Sequence, residues 1–279
     1  MYFQFLGTAA YEGYPSPFCA CENCQKARKS GDPHDQRLRS SALIDQELLV
    51  DFGPDLVPSL QKAFLDVTKV RVLLITHSHP DHLFFPNFSF RLPAFSGTST
   101  SLPALHVVAS SRVCEMVSRQ VDTQAAQVEL HALESFESLC LFDYNILAVP
   151  AVHQVSNDEQ CMVYVVEKKG KRVFYGTDTG FLGDPTLDAL ENVMKRKEFD
   201  LVVLDASMGF SRETFPYHLN AYEWKQLRST FVSRGLASTR TRFFAHHFSH
   251  HNNPPHDELV KLYSEMGGEV AFDGLEIVV

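Results

Sequence analysis

Long apolar runs are missing from this sequence, and none approaches the ~20 residues that a membrane-spanning helix needs. Its first stretch, MYFQFLGTAAYEGYPSP, lacks the basic and apolar segments of a signal peptide, so we expect a cytoplasmic protein without a membrane partner. Runs of lysine and arginine are missing too, and the formal net charge is −9. This acidic balance argues against a broad nucleic-acid-binding surface, although it leaves room for a local pocket that binds one phosphate.

A disulfide framework is not expected either, because disulfides are rare in cytoplasmic proteins. The chain has six cysteines, and three of them, Cys114, Cys140 and Cys161, stand alone among apolar residues. We expect these three to be buried as small hydrophobic side chains. No internal repeat, low-complexity segment or domain boundary is visible, so we expect one domain over residues 1–279.

The other three cysteines form the pattern C-x-C-x-x-C at Cys19, Cys21 and Cys24. They lie within residues 9–40, where several prolines and glycines predict a long irregular loop. Three thiolates need a fourth ligand to make a tetrahedral structural zinc site, and His250 is the candidate. A zinc ion would order the loop around 15–35, whereas the alternative is three free thiols in a mobile loop.

Buried strands and amphipathic helices follow one another in both halves of the chain. Continuous apolar runs such as KVRVLLITH and FDLVVLDAS predict buried strands, and CMVYVVEKKGKRVFYGTDTG predicts a hairpin. Asp184 and Asn220 are the expected N-caps of two helices, DPTLDALENVMKRKE and NAYEWKQLRSTFVSRG. This order of elements predicts a layered α/β sandwich.

Polar side chains that can bind metals follow four of the predicted strands. His77 follows VLLIT, His153 follows ILAVPAV, Asp178 follows VFYGT, and His246 with His247 follows RFFA. Strands hold positions well, and the loops that leave them commonly carry the chemistry of a site. We therefore expect these side chains to converge at one edge of the core.

The stretch ITHSHPDHLF adds further metal-binding side chains at the first of these strand ends. Together the segments provide seven candidate ligands: His77, His79, Asp81, His82, His153, Asp178 and His247. Seven side chains are too many for one tetrahedral ion and suit two divalent metals, for which manganese, zinc and iron all fit histidine and aspartate. Such a centre lowers the pKa of a shared water, so the cluster predicts a hydroxide that bridges the metals and attacks an electrophile.

The motif THSHPDH resembles the T-H-x-H-x-D-H motif of the metallo-β-lactamase superfamily, and the resemblance covers nearly the whole chain. Asp51 in LLVDFGPD matches a carboxylate that supports the metal loop, and Asp178 matches the bridging aspartate of that superfamily. The resemblance implies an α/β fold, a four-layer αββα sandwich with the dinuclear site at one edge. It aligns the terminal ligand with His247, so we expect the adjacent His246 to point the other way.

The cysteine pattern makes the resemblance more specific. A C-x-C-x-x-C motif with a histidine, beside a dinuclear centre, resembles the PhnP-type phosphodiesterases, which open phosphoribosyl 1,2-cyclic phosphate. Those enzymes have an aspartate and a histidine near the substrate phosphate, and Asp205 and His218 lie at similar places. The resemblance implies catalytic roles for Asp81, Asp205 and His218, with His218 donating a proton to the leaving oxygen.

A metal-dependent phosphodiesterase acting on a small diester is thus the expected function, in a monomer or a homodimer. The alternatives are an ester or lactone hydrolase, an RNA-processing nuclease, and a non-catalytic accessory protein of cofactor biosynthesis. The segment Phe84–Pro103 is rich in phenylalanine and is interpreted as core filling or as an apolar lid. Arg91, Arg212 and Arg240 are candidates for holding a second phosphate of the substrate.

Overall fold

A computed structural model describes residues 1–97 and 101–279 and contains two seven-stranded sheets. The first sheet contains β1 (Tyr2–Gly7), β2 (Ser41–Ile44), β3 (Leu48–Val50), β4 (Val72–Leu74), β5 (Leu105–Ala109), β6 (Val128–Ala132) and, at the end of the chain, β14 (Glu276–Val278). The second contains β7 (Ser138–Leu141), β8 (Tyr144–Pro150), β9 (Met162–Lys168), β10 (Lys171–Gly176), β11 (Leu201–Asp205), β12 (Arg242–His246) and β13 (Glu269–Val270).

Each sheet has a parallel portion, and this portion positions the site. The strand order is β14-β1-β2-β3-β4-β5-β6 in the first sheet and β13-β12-β11-β10-β9-β8-β7 in the second. Strands β3 to β6 are mutually parallel, and so are β10 to β13. Ligand sites of parallel sheets lie outside the carboxyl ends of the strands, so the residues that come after these strands are placed at one edge.

Three apolar cores separate four layers. The core between the sheets is built from the inward side chains of both, such as Phe5, Leu74 and Tyr164. A second core lies between one sheet and its helices around Trp224, and a third lies on the outer face of the other sheet around Val113. Helices therefore cover both outer faces, which confirms the predicted αββα sandwich.

Seven α-helices are present in the described residues: α1 (Glu22–Ser30), α2 (Leu56–Lys62), α3 (Pro93–Ser96), α4 (Ser111–Gln120), α5 (Asp184–Met194), α6 (Ala221–Ser233) and α7 (His256–Glu265). Asn220 caps α6 as predicted, and its side chain accepts from the backbone of Glu223 in a capping box. The prediction for α5 was wrong by one residue, because Gly183 is the N-cap and Asp184 is already helical. The Asp184 carboxylate binds Arg234 instead of capping the helix.

The predicted N-terminal loop is more ordered than expected. Residues 22–30 form α1, whose N-cap Cys21 accepts a hydrogen bond at its sulfur from the backbone N–H of Cys24. Gly31 ends this helix in the left-handed conformation, with φ 69°, which is a common helix C-terminal signal. The prolines that flank this segment predicted a loop, but the segment forms a helix whose N-terminus is capped by Cys21.

Two further predictions need correction. Cys140 is exposed in the edge strand β7, whereas Cys114 and Cys161 are buried as expected. Within Phe84–Pro103, Phe88 is buried and residues 85–91 form a 3-10 helix, but Phe95 is largely exposed. Residues 98–100 of that segment, which we interpreted as core filling or as a lid, lie outside the described part of the chain. None of the described helices has the length and apolar character needed to cross a membrane.

Candidate active site

Five side chains of the candidate site stand at, or shortly after, the carboxyl ends of strands. His77 comes shortly after β4, His153 shortly after β8, Asp178 after β10 and His247 directly after β12, while Asp205 is the last residue of β11. Because these strand ends meet at one edge of the two sheets, the side chains converge as the sequence predicts.

The first ligand group consists of His77, His79 and His153, whose ring nitrogens lie close together. The Nε2 atom of His77 lies 2.9 Å from Nδ1 of His79, and Nε2 of His153 lies 3.2 Å from the same atom. On the far side of its ring, His153 places Nδ1 3.4 Å from the carbonyl oxygen of Tyr217. This contact leaves Nε2 of His153 as the atom that faces the group.

The second ligand group consists of Asp81, His82 and His247, and Asp178 lies between the two groups. The Oδ2 atom of Asp178 lies 2.6 Å from Nε2 of His82 and 3.1 Å from Nε2 of His247. It also lies 3.7 Å from Nε2 of His77, a member of the first group. Asp178 is thus the shared carboxylate, in the position expected of a bridging ligand.

Asp51 and Thr76 hold the histidines in the form that binds metals. The Oδ1 atom of Asp51 accepts hydrogen bonds from the backbone N–H and the hydroxyl of Thr76, both at 2.9 Å. Its Oδ2 atom lies 2.7 Å from Nδ1 of His82, and the hydroxyl oxygen of Thr76 lies 3.0 Å from Nδ1 of His77. Each Nδ1–H is therefore held by an oxygen, which leaves the Nε2 lone pair for a metal.

Three residues of the site have a left-handed backbone. Asp51, Asp178 and His247 have φ values of 63°, 50° and 61°, a region that residues other than glycine seldom adopt. Such strain persists only where the surrounding contacts over-determine it, and it concentrates at functional sites. Here it turns each side chain from the end of a strand into the cluster.

The donor set fits divalent cations. The Oδ1 atom of Asp81 is buried and has no hydrogen-bond partner among the described residues. Buried polar atoms without partners are uncommon unless an ion or water satisfies them. Burial lowers the pKa of His77 well below its ordinary value, so its imidazole is neutral, which is the ligand form.

Asp178 is ionised in this setting. Burial alone would raise its pKa, but the imidazoles of His247 and His82 hold that pKa well below the usual range. A buried, ionised carboxylate beside imidazole nitrogens provides negative charge for divalent cations, and such an oxygen-and-nitrogen set suits manganese, zinc or iron.

Asp205 and His218 form the predicted dyad. The Oδ2 atom of Asp205 lies 3.1 Å from Nδ1 of His218, and its Oδ1 accepts from the backbone N–H groups of Ser207 and Leu219, both at 3.0 Å. Burial lowers the pKa of His218, but the carboxylate of Asp205 outweighs this effect and raises the pKa to about 9. Because Nδ1 of His218 also lies 3.3 Å from Oδ1 of Asp178, the dyad adjoins the metal-binding cluster.

The cysteine motif and His250 also come together. The sulfurs of Cys19 and Cys21 each lie 3.5 Å from Nδ1 of His250, and Cys24 completes a group of four. Three sulfurs and one ring nitrogen are the donor set of a Cys₃His zinc site. The helix α1 and the segment after β12 are thus able to share one structural ion.

Sequence reasoning missed several residues that support the site. Glu159 accepts hydrogen bonds from the backbone N–H of Ser78, at 2.7 Å, and from the Ser78 hydroxyl, so it holds the turn between His77 and His79. The hydroxyl oxygen of Ser40 lies 2.6 Å from Nδ1 of His247. These contacts join segments that are distant in sequence, and no local pattern distinguishes Glu159 or Ser40 from other loop residues.

His246 points away from the cluster, as expected from the alternation of side chains along a strand. It is buried between the sheets, with Nε2 3.0 Å from the carbonyl oxygen of Gly7 and Nδ1 3.1 Å from the hydroxyl of Thr177. Since Thr177 and His246 directly precede the metal-binding residues of their segments, this contact ties two strand ends together.

A cleft of about 710 Å³ opens over the two ligand groups and the dyad. No described residue of Phe84–Pro103 lines it, and Phe90 and Arg91 instead line a separate apolar cavity of about 300 Å³. Arg91 bonds to the carbonyl oxygen of Ala126, and Arg240 pairs with Glu198, so neither supports the predicted second phosphate site. Arg212 is exposed beside the cleft without lining it.

Two groups of candidate metal ligands that share an aspartate, at the edge of an αββα sandwich, are the site of a metal-dependent hydrolase. The chain belongs to the beta-lactamase superfamily, since the family profile of the beta-lactamase superfamily domain matches residues 46–267. No curated protein sequence matches this chain.

Solved structures resemble the protein over its full length. A diphosphatase from the PhnP family has a TM-score of 0.75 and 23% sequence identity, covering 100% of this chain and 97% of that one. Zn²⁺-bound PqqB from Methylobacterium extorquens has a TM-score of 0.69 and 15% identity, covering 100% of both chains. The short form of human tRNase Z has a TM-score of 0.64 and 20% identity, covering 100% of this chain and 99% of that one. At these identities the similarity supports the fold, and the substrate has to be argued from the site.

Proposed function

We propose that this enzyme hydrolyses a small phosphodiester with two divalent cations, which the two ligand groups and Asp178 would hold. The observation that carries the proposal is the position of His218, whose Nδ1 lies 3.3 Å from that shared carboxylate and 3.1 Å from Asp205. A proton donor beside a two-cation centre is the arrangement that cleavage of a P–O bond requires.

The reaction follows from the roles of the side chains. Two divalent cations, when bound, stabilise charge on the phosphoryl oxygens and lower the pKa of a water. Asp205 holds Nδ1–H of His218, so Nε2 is the nitrogen that can protonate the leaving oxygen. Because the pKa of His218 is raised to about 9, the imidazole keeps its proton at neutral pH. Asp51 and Thr76 keep the ligand histidines in one tautomer throughout.

Two of the similar structures support hydrolysis at a phosphoryl group, since they are a diphosphatase and a tRNase. Hydrolysis of an RNA end fits less well. A surface that binds the phosphate backbone of RNA needs basic residues, whereas this chain has a net charge of −9. A small diester is therefore the substrate that we favour over a polynucleotide.

A structural zinc ion is the second part of the proposal, with Cys19, Cys21, Cys24 and His250 as its four ligands. All four lie in one group whose ligand atoms are within 4.8 Å of one another. The ion would join α1 to the loop that carries His247, so it would stabilise one wall of the cleft.

The test combines metal content with turnover of bis(p-nitrophenyl) phosphate under added Mn²⁺ or Zn²⁺. We expect about three metal ions per chain and turnover that depends on two of them. Asp178→Asn should abolish turnover, and the exposed Asp66→Asn is the matched control that should retain it. Bound metal with hydrolysis of a lactone or carboxylic ester, and no diester turnover in any metal, would replace the proposal with an esterase function.

A further inference from the structure

A further group of side chains that can bind a metal lies at the edge of the first sheet, away from the cleft. His106 belongs to β5, whereas Glu129 and His131 belong to β6, the last strand of that sheet. None of the three is among the residues that line the cleft over the candidate active site. The proposed hydrolysis does not use them.

The parallel register of β5 and β6 puts these side chains on one face of the sheet. His106 is the pairing partner of Glu129, and His131 follows Glu129 by two residues. Side chains two residues apart on a strand point to the same face. The alternate residues Val107 and Leu130 pack in the outer core. The two histidines and the glutamate therefore point towards the second sheet.

Three donor atoms come together on that face. The Nδ1 atom of His106 lies 2.9 Å from Nε2 of His131 and 3.3 Å from Oε2 of Glu129. A single hydrogen on Nδ1 can be directed at only one of these two atoms. A cation among the three atoms would instead accept an electron pair from each of them.

The spacing of these atoms is that of metal ligands. In the first ligand group of the candidate active site, Nδ1 of His79 lies 2.9 Å from the nitrogen of His77 and 3.2 Å from that of His153. Two ligands of a tetrahedral zinc ion, each at about 2.0–2.1 Å from it, are about 3.3 Å apart. The nitrogen of His106 and the oxygen of Glu129 already have this separation.

The surroundings keep these donors available to a metal. Burial, together with the imidazole of His106, lowers the pKa of His131, so His131 is neutral at pH 7 and has a free electron pair. The ring of Phe142 packs edge-on against His106, with centroids 5.3 Å apart. Arg71 stacks on Phe142, but its Nη2 atom lies 3.1 Å from the carboxylate of Glu47, which balances its charge.

The geometry points to a divalent metal site, formed by His106, Glu129 and His131, that is separate from the cleft. Two imidazoles and one carboxylate are a donor set for zinc, and three protein ligands leave a fourth position for water. The side chain of Glu129 is 58% exposed and that of His106 is 17% exposed, so the ion enters from the side of the glutamate. Because the ligands come from two neighbouring strands, the ion holds the edge strand β6 to β5 and stabilises the fold.

The experiment measures zinc per chain by elemental analysis after dialysis of the protein against added Zn²⁺. We expect about one ion more than the three of the cleft and the cysteine group. His106→Gln and His131→Gln should each remove about one ion and leave turnover of bis(p-nitrophenyl) phosphate within about twofold. Glu129→Gln should lower the affinity of this site by at least about tenfold. The control His34→Gln removes a histidine that pairs with the carboxylate of Asp32, and it should keep the parental zinc content.

The difference of one ion between the parent and the histidine variants decides the inference. Equal zinc content in the parent and in both variants overturns it, because the contact is then only a hydrogen bond between two rings. Equal zinc binding by the double variant of His106 and His131 has the same meaning, an adventitious ion only. If a histidine variant fails to fold, Glu129→Gln decides, since this side chain is largely exposed, and an unchanged affinity there overturns the site. A parent enzyme that gains this ion but cleaves no diester leaves the inference in place and overturns the proposed function.

Discussion

Gly53→Ala tests whether the packing behind the metal loop determines the position of its ligands. A Cβ atom at Gly53 would lie 1.9 Å from the backbone oxygen of Asp81, and real Cβ atoms essentially never come closer than 3.0 Å to such a neighbour. One backbone segment must therefore move by at least about 1.1 Å, the difference between these two distances.

Hydrogen bonds from Asn87 restrain the segment around Gly53. The Asn87 side chain donates hydrogen bonds to the carbonyl oxygens of Phe52 and Gly53, at 3.1 and 2.7 Å. The backbone N–H of Phe52 also donates to the carbonyl oxygen of His82 at 2.7 Å. We therefore expect the backbone of Asp81 and of the adjacent His82 to move. A shift of about 1 Å in a catalytic group can reduce the rate by about 100-fold.

We expect Gly53→Ala to lower kcat by about 100-fold. We also expect it to lower the metal affinity of the second ligand group, which contains Asp81, by about 10- to 100-fold. Titration of metal into the apoprotein measures the affinity, and a thermal melt separates local displacement from general unfolding. Gly183→Ala is the matched control, because its nearest neighbour is the ring of Pro185 at 3.7 Å. A Gly53→Ala enzyme with parental metal affinity and parental kcat would refute this reasoning.

Three further predictions concern other parts of the molecule. Cys24→Ser should remove about one zinc ion per chain in elemental analysis and lower the melting temperature, whereas Cys140→Ser, at an exposed position, should change neither. His218→Gln should lower kcat by about 10²- to 10⁴-fold with unchanged metal content, so a comparable loss of metal would contradict its role as proton donor. The pKa of His256 is lowered to about 4 by burial and by Arg37, whose guanidinium lies 3.0 Å from Nδ1. The folded state favours neutral His256. Its contribution to the free energy of unfolding is therefore fully present above pH 6.5 and is lost as the pH falls through about 4. This loss amounts to at most about 3 kcal/mol, and His256→Asn should flatten the denaturation profile over that interval.

The two metal-binding groups were visible in the sequence because strands fix the direction in which the next residues leave the sheet. His77 and Asp178 each stand at the end of an apolar run, and the carboxyl ends of parallel strands meet at one edge. The alternation of side chains along β12 allowed only one of His246 and His247 to face the cluster, and the family resemblance assigned that place to His247. Where the candidate ligands lie close together in sequence, as in residues 77–82, the sequence alone identified the side chains that the structure brings together.

Local signals were weaker at element ends and in the N-terminal region. The helix α1 was taken for a loop because its flanking prolines and glycine dominate the pattern, although a cysteine caps it. At α5 the cap moved to Gly183 because the Asp184 carboxylate pairs with Arg234, which lies 50 residues away in sequence. Tertiary partners of this kind compete with local propensity and cannot be inferred from the neighbouring residues.

Residue type and short spacing were enough to predict the layered α/β class, the candidate ligands and the cysteine motif. The atoms that face one another became known only from the packed chain: Asp178 between the two groups, Glu159 on the turn after His77, and Glu12 between His250 and the cleft. These contacts arise from chain segments brought together by the packing of two sheets. The physical reason is that strand spacing is local, whereas charge balance and hydrogen bonding in the cleft depend on non-local neighbours.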